Sequence, residues 1–170
     1  GADKLRSYIE PLLNEPGLEH IQNIRIGTKT LTWWPYRYVT DKDSDDVLSL
    51  LEDVSKAGKH LAIMAHNSHH QEFKTDICHE AVRRLRNAGA TIRCQSPVVR
   101  HINDDGDTWA QMWRQQVKLG MVPYYMFCAR DTGPKKHFEI PLTRVYDIYE
   151  KAYNQVSGLA RTVRGPSMSS

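Results

Sequence analysis

Polar side chains with ligand-binding chemistry follow four apolar segments of this sequence. They are Lys29, His66, Gln95, Arg130 and Asp131, which come after RIGT, HLAIMA, ATIRC and, for the last two, VPYYMFCA. Ammonium, imidazole, amide, guanidinium and carboxylate groups can together hold the polar edges of a nucleoside or of an amino acid. The sequence therefore predicts a polar rim that binds a small molecule.

Simpler interpretations of two of these positions stay open at this point. Gln95 could serve only to cap the loop that follows it. Arg130 and Asp131 could form a surface ion pair, which would contribute little free energy.

Histidines after the second apolar segment suggest a different site. His66, His69 and His70 are the residue type that binds zinc, but Glu72 is the one carboxylate at a comparable spacing. Solvated loop histidines are therefore favoured over a metal site. Neither GxGxxG nor GxxxxGK[ST] occurs in the sequence, which argues against dinucleotide or ATP binding through those loops.

The apolar periodicity predicts the elements that must position these residues. Helical spacing of apolar residues alternates with short apolar runs that are typical of strands. The predicted helices are 3–14, 40–57, 75–87, 107–119 and 142–156, and the predicted strands are 21–27, 60–66, 90–95 and 122–129. Gly58, Gly89 and Gly120 are evenly spaced and end three of the helices as C-caps.

Alternating strands and helices predict an α/β fold with a parallel sheet of about four strands. The pattern fits a piece of a β/α barrel or an open doubly wound sheet. In either case the carboxyl ends of the strands lie at one edge, where the polar residues would face one another. The length of 170 residues predicts a single domain over 1–170.

Composition excludes several classes of partner. The net charge of +3 suits small anionic groups and does not predict a nucleic-acid partner. No apolar run reaches membrane-spanning length and no signal peptide opens the sequence, so no membrane partner is expected. Cys78, Cys94 and Cys128 are few and far apart, which argues against a disulfide framework and predicts a cytoplasmic location.

The phrases at the four strand ends resemble the lysine 2,3-aminomutase family. They are RIGTK (25–29), AIMAHNSHH (62–70), RCQSPVVRHINDD (93–105) and VPYYMFCARDTG (122–133). Their order and spacing also fit the family, as do HFEIPL (137–142) and VSGLARTVRGPSMS (156–169). The resemblance covers nearly the whole chain.

This resemblance implies a fold, a reaction and a set of cofactors. Members are radical S-adenosylmethionine enzymes on an open (β/α)6 barrel, of which this chain would form units three to six. They use S-adenosylmethionine, a 4Fe-4S cluster and pyridoxal phosphate to move an amino group from the α to the β carbon of an amino acid. By resemblance, Lys29, His66 and Gln95 contact S-adenosylmethionine.

The resemblance also bears on the amino-acid substrate. Lysine-specific members hold the substrate ammonium with an Asp, and Arg130 stands at that position here, with Asp131 one place later. An Arg would repel a lysine ammonium and could pair with an acidic substrate.

Several family features are not among these 170 residues, namely the CxxxCxxC cluster motif with the arginines that follow it, the SGGD motif of the second strand, and the lysine that forms the pyridoxal imine. The chain is therefore expected to be a fragment or truncated form of an aminomutase that is inactive alone. The alternatives are a non-enzymatic protein that binds a nucleoside or an amino acid on a decayed barrel, and a hydrolase or metal enzyme that uses the three histidines. Bare sheet edges predict self-association as a dimer.

Overall fold

The computed structural model describes residues 1–129 and 133–168, in which helices and strands alternate. The helices are α1 (Ala2–Asn14), α2 (Thr30–Trp33), α3 (Ser44–Lys56), α4 (Asp76–Asn87), α5 (Gly106–Lys118), α6 (Lys135–Phe138) and α7 (Leu142–Asn154). The strands are β1 (Asn23–Thr28), β2 (His60–His66), β3 (Thr91–Val98), β4 (Val122–Cys128) and β5 (Arg164–Ser167). Short 3-10 turns lie at Pro35–Tyr38, His70–Phe73 and Gly158–Ala160. Every predicted helix and strand is present; the strand 60–66 has the predicted ends, and the other elements have ends shifted by one or more residues.

The strands form one sheet in the order β1-β2-β3-β4-β5, and the predicted α/β class with parallel strands is confirmed. The predicted number of about four strands is one too low, because the sequence pattern does not predict β5. This strand reads RGPS, and it contains a Gly and a Pro, which are depleted in strands. Short strands with Pro occur at sheet edges, where β5 lies.

Packing divides the chain into two compact units. The first comprises Gly1–Ala65 and Thr75–Ile92, and the second comprises His66–Lys74 and the described residues of Arg93–Ser170. The single domain over 1–170 stays a prediction. No helix within the described residues combines the length and the apolar character needed to cross a bilayer.

In the first unit, β1 and β2 run parallel, with Ile24 opposite Leu61 and Thr28 opposite Ala65. The whole stretch from Leu61 to Ala65 is buried, as expected for a strand that is covered on both faces.

Charged side chains fix the loop before α3 in the same unit. Arg37 forms a salt bridge with Asp43, and the Asp43 carboxylate also accepts a hydrogen bond from the Ala2 backbone N at 2.7 Å. The Arg37 guanidinium holds the pKa of the Asp43 carboxyl well below its ordinary value. On α4, Arg84 donates to the backbone O of Tyr38 at 2.7 Å.

In the second unit, α5 is the central helix. Trp109 and Trp113 are fully buried on it, and their rings meet edge to face with centroids 5.9 Å apart. Trp113 also meets Tyr149 of α7 edge to face at 6.2 Å. At Gly106 the two helices approach so closely that a Cβ would lie 2.7 Å from Cβ of Lys151.

Gly58 and Gly89 end α3 and α4 with left-handed φ values of 74° and 89°, as the sequence predicts. Their surroundings differ. A Cβ at Gly89 would lie 2.3 Å from Oγ of Ser55, whereas a Cβ at Gly58 would have no neighbour within 4 Å. The Ser55 hydroxyl donates to the Ala88 backbone O at 2.9 Å, so its position is already determined.

We expect Gly89→Ala to lower the free energy of unfolding more than Gly58→Ala. Both variants force an Ala into the left-handed region, at a cost of roughly 1–2 kcal/mol. Gly89→Ala must also displace Ser55 and break its hydrogen bond to Ala88, which adds about 1 kcal/mol. Urea unfolding of the two variants measures the difference. Equal losses would contradict the close approach at Gly89.

Candidate functional site

His66 ends β2 and is half-buried in the second unit. Its Nε2 lies 3.2 Å from Oγ of Ser68, two residues further along. A hydrogen bond to one ring nitrogen restricts the orientation of an imidazole, and a hydroxyl can serve either tautomer because it both donates and accepts. The ring therefore has a defined polar edge just beyond the strand, where ligands of parallel α/β folds bind.

Gln95 does not end its strand, so that part of the prediction is wrong. The sequence Ser96-Pro97 predicts a break because Pro has no N–H for the ladder. Yet β3 continues to Val98, since Pro97 and Val98 stay paired with Phe127 and Cys128 of β4. The Pro97 carbonyl accepts a hydrogen bond from the side chain of Asn103 at 3.0 Å. Gln95 is half-buried inside the strand.

An irregularity in the ladder falls at Gln95. Cys94 stands opposite Pro123, but Gln95 stands opposite Tyr125, so Tyr124 is an extra residue on β4. Such a bulge re-aims the neighbouring side chains and is common beside binding sites. The register therefore places Gln95 opposite Tyr125 rather than opposite Tyr124.

The backbone next to His66 is bonded directly to Gln95. The Asn67 N–H donates to the Gln95 carbonyl O at 3.2 Å. The structure therefore brings together two of the residues that the sequence assigns to the rim. Both lie in the second unit, and both are partly exposed to solvent.

Asn103 supports this arrangement, and sequence reasoning assigned it no role beyond a turn. It is fully buried. Its Nδ2 donates to the carbonyl O of Ser68 at 2.8 Å and to that of Pro97 at 3.0 Å, and its Oδ1 accepts from Val99 N at 2.7 Å. Its own carbonyl accepts from Trp109 Nε1 at 2.7 Å. The Asn-Asp pair before a helix was the available signal, because such residues cap and close turns.

The loop after β2 is held by a carboxylate. Oε1 of Glu72 accepts from the backbone N of Ser68 at 2.8 Å and of His69 at 3.0 Å. Nδ1 of His69 accepts from Gln71 N at 3.1 Å and so caps the 3-10 turn. The sequence offered Glu72 as a candidate metal ligand. In the structure its carboxylate accepts hydrogen bonds from the backbone.

His69 and His70 stack on each other, with ring centroids 4.2 Å apart. Burial lowers the pKa of His70, and the charges of His69 and Lys74 lower it further. Within residues 1–129 and 133–168, no group of three or more His, Cys, Asp or Glu side chains is arranged to hold a metal ion. The geometry gives no support to a metal enzyme built on His66, His69 and His70.

Aromatic rings follow the bulge on β4, and sequence reasoning gave them no role. The Tyr125 and Phe127 rings are half-buried, with centroids 5.5 Å apart. Phe127 stands opposite Pro97. The strand that faces Gln95 therefore carries flat apolar surfaces on which a heterocycle can stack.

Lys29 belongs to the first unit, directly after β1, and it is exposed. Its ammonium lies 5.1 Å from the centroid of the Trp33 ring, within range of a cation–π interaction. Arg130 and Asp131, assigned to the substrate, lie outside the described residues.

The cysteines sit in surroundings unsuited to metal binding. Cys78 is buried in α4 of the first unit. Cys94 is buried in β3, 4.0 Å from Sδ of Met121, and burial raises the pKa of its thiol. Burial also raises the pKa of Cys128 at the end of β4. Since metals bind the thiolate, these three thiols do not fit an iron–sulfur cluster.

Relatives of this chain carry the names of 2,3-aminomutases. The chain is 33% identical to a protein of Aquifex aeolicus described as "Putative L-lysine 2,3-aminomutase", over 95% of this chain and 41% of that protein. It is 27% identical to glutamate 2,3-aminomutase of Clostridioides difficile, over 90% of this chain and 34% of the relative. It is 27% identical to L-lysine 2,3-aminomutase of Fusobacterium nucleatum, over 92% of this chain and 34% of that relative. No family model matches the chain.

These matches run through nearly all of this sequence, but the chain spans only about two fifths of the first relative and one third of the other two. They agree with the resemblance carried by the strand-end phrases. The chain belongs to the lysine 2,3-aminomutase family, of whose members it matches a part.

Proposed function

We propose that this chain forms part of the catalytic barrel of a radical S-adenosylmethionine amino-acid 2,3-aminomutase, and that it supplies part of the cofactor site. The observation that carries the proposal is the pairing of His66 and Gln95 through the Asn67–Gln95 backbone hydrogen bond of 3.2 Å. The names of the relatives, lysine and glutamate 2,3-aminomutases, support the reaction class.

S-adenosylmethionine fits the side chains of the second unit. A half-buried imidazole and a half-buried amide can bind the polar groups of its ribose or adenine, and the aromatic rings of β4 offer a stacking surface. When bound, S-adenosylmethionine supplies hydrogen-atom abstraction, and pyridoxal phosphate supplies activation of the substrate amino group. In this proposal His66 and Gln95 bind and orient the cofactor. The contact of Lys29 with S-adenosylmethionine stays a prediction from the family resemblance.

The iron–sulfur cluster is a different case. The three cysteines do not fit it, because Cys78, Cys94 and Cys128 lie on separate elements, α4, β3 and β4, and the first two are buried. We propose that the 170 residues act in binding and do not carry out turnover alone. Because all three cysteines are free thiols, we also propose a cytoplasmic location.

We expect calorimetric titration to show that the chain binds S-adenosylmethionine, and that Gln95→Ala weakens binding by roughly tenfold, the loss expected for one polar contact. Gln111→Ala is the matched control, since Gln111 is exposed on α5 of the same unit and should bind as the unaltered chain does. Absence of binding by the unaltered chain, or equal binding by both variants, would overturn this cofactor site.

The substrate proposed here has an acidic side chain. By the family resemblance, lysine-specific members carry an Asp at the position of Arg130. One relative is a glutamate 2,3-aminomutase. A guanidinium pairs with a carboxylate and repels an ammonium.

We therefore expect the chain to bind L-glutamate more tightly than L-lysine, and Arg130→Asp to reverse the order, with roughly tenfold changes for a charged contact. Arg114→Asp changes the net charge equally on the exposed face of α5 and should leave the preference as it is. Saturation-transfer NMR with both amino acids measures the ratio. An unchanged ratio in Arg130→Asp would contradict the assignment.

Self-association through a sheet edge is the proposed assembly. Within the described residues β5 pairs with β4 alone, and a groove of about 730 Å³ runs beside it, lined by α7 and β5. Leu142 and Tyr146 border the groove and are 46% and 54% exposed. Apolar side chains beside an unpaired strand are the usual site of edge-to-edge pairing.

Light scattering over a range of concentrations should give a mass twice that of one chain, and Tyr146→Glu should shift it to that of one chain. Tyr8→Glu on α1 introduces the same charge at a residue that is 60% exposed, and should leave the dimer intact. A single-chain mass for the unaltered protein at high concentration would sink the proposed dimer.

A further inference from the structure

Asn103 is a polar side chain that bonds to two separate loops of the second unit. It is fully buried, and its amide uses both N–H donors and its acceptor. The bonds to Val99 N and Pro97 O close the turn after β3 locally. The bond to Ser68 O is different in kind, because it spans 35 residues of sequence and reaches the loop that follows β2.

That long-range bond leads directly to the two candidate ligands of the cofactor. The backbone carbonyl of Ser68 is held by Asn103, while its hydroxyl lies 3.2 Å from Nε2 of His66. The residue between them, Asn67, donates its N–H to the carbonyl of Gln95. Any movement of Ser68 would therefore change both the ring orientation of His66 and its spacing from Gln95.

We propose that Asn103 is a positioning residue for the binding of a sulfonium nucleoside, acting through Ser68 on His66 and through the Asn67–Gln95 bond on Gln95. This inference rests on the function proposed above, in which those two side chains contact S-adenosylmethionine. Asn103 itself is buried beneath the loops and acts through its neighbours.

The chemistry of the site requires an amide. Two carbonyl oxygens at 2.8 and 3.0 Å require donors, and the Val99 N–H at 2.7 Å requires an acceptor. Asp has nearly the same shape and retains the acceptor, but its ionised form has no donor and faces two oxygens. Reversing the amide would place donor against donor at Val99, so the hydrogen bonds fix its orientation.

Asn103→Asp therefore removes the hydrogen bond to the Ser68 carbonyl while it keeps nearly the same side-chain shape. We expect it to weaken binding of S-adenosylmethionine by at least roughly tenfold near pH 8, the loss expected when buried acceptors lose their donors. Burial and the facing carbonyls raise the pKa of an Asp placed here, so it gains a proton as the pH falls toward about 6. The protonated acid offers one O–H donor, and we expect binding to recover in part.

Other groups near Ser68 and Asn103 also titrate or carry charge, so binding of each variant is taken relative to the unaltered chain at the same pH. They are His66, His69, His70, Glu72 and Asp105. Asn103→Ala should weaken binding at both pH values without recovery, because it gains no donor. Asn154→Asp makes the same exchange at an exposed residue of α7 and should bind normally.

A second variant keeps the test informative should Asn103→Asp fold poorly. Ser68→Ala removes the hydroxyl beside His66 but retains the carbonyl that Asn103 holds. We expect it to weaken binding severalfold, while circular dichroism and the melting temperature stay near those of the unaltered chain. Normal binding by Ser68→Ala would break the proposed route from Asn103 to His66.

Hydrogen exchange of backbone amides distinguishes failure of this inference from failure of the proposed function. Asn103→Asp should speed exchange of the Asn67 N–H, which bonds to Gln95, while the amides of α7 keep their protection. Faster exchange, together with no binding by the unaltered chain, would support the role of Asn103 in positioning the loop. It would overturn the proposal that S-adenosylmethionine is the ligand. Unchanged exchange and binding in Asn103→Asp would overturn the positioning role and leave the cofactor site standing.

Discussion

The two N–H donors of the Asn103 side chain are the interaction on which the candidate site depends. One donor satisfies the loop after β2 at Ser68 and the other satisfies the end of β3 at Pro97. A hydrogen bond of this kind contributes about 1 kcal/mol. The Pro97 carbonyl also accepts from Oγ of Ser96 at 3.1 Å. Because Trp109 on α5 also bonds to the Asn103 carbonyl, the turn is anchored to the core of the unit. The loop after β2, the end of β3 and the helix α5 are thus all bonded to one buried residue, Asn103.

The bulge on β4 is the second constraint. Pro123 offers no N–H to the ladder, and the register shifts by one residue directly after it. This shift brings Tyr125 opposite Gln95 and Phe127 opposite Pro97. In an even ladder Gln95 would stand opposite Tyr124, so the bulge decides which of the two tyrosines of β4 faces it. The bulge therefore sets the pairing of β4 with β3 at the candidate site.

Sequence reasoning predicted the regular parts and missed the irregular ones, for physical reasons. Apolar periodicity reports burial, so it located β2 and the long helices, and Gly58 and Gly89 marked helix ends that need a left-handed residue. It missed β5 because RGPS has no apolar pattern, and it ended β3 too early because the apolar run stops at Gln95, whereas the ladder to β4 continues to Val98. His66 and Gln95 were identified from their places near strand ends, but the role of Asn103 depends on contacts that no spacing rule contains.

The groups that this chain brings together are suited to recognition rather than to reaction. The imidazole of His66 is oriented by a hydroxyl, the amide of Gln95 is uncharged, and the neighbouring Tyr125 and Phe127 rings can hold a flat heterocycle. Two of the thiols, Cys78 and Cys94, are buried in the core, and burial raises the pKa of Cys94. Where an enzyme uses cofactors, they supply reactive groups that protein side chains seldom offer, and the protein orients them. In the proposed function, the described residues therefore contribute a partly aromatic binding surface, and the buried side chain of Asn103 holds the loops beside it.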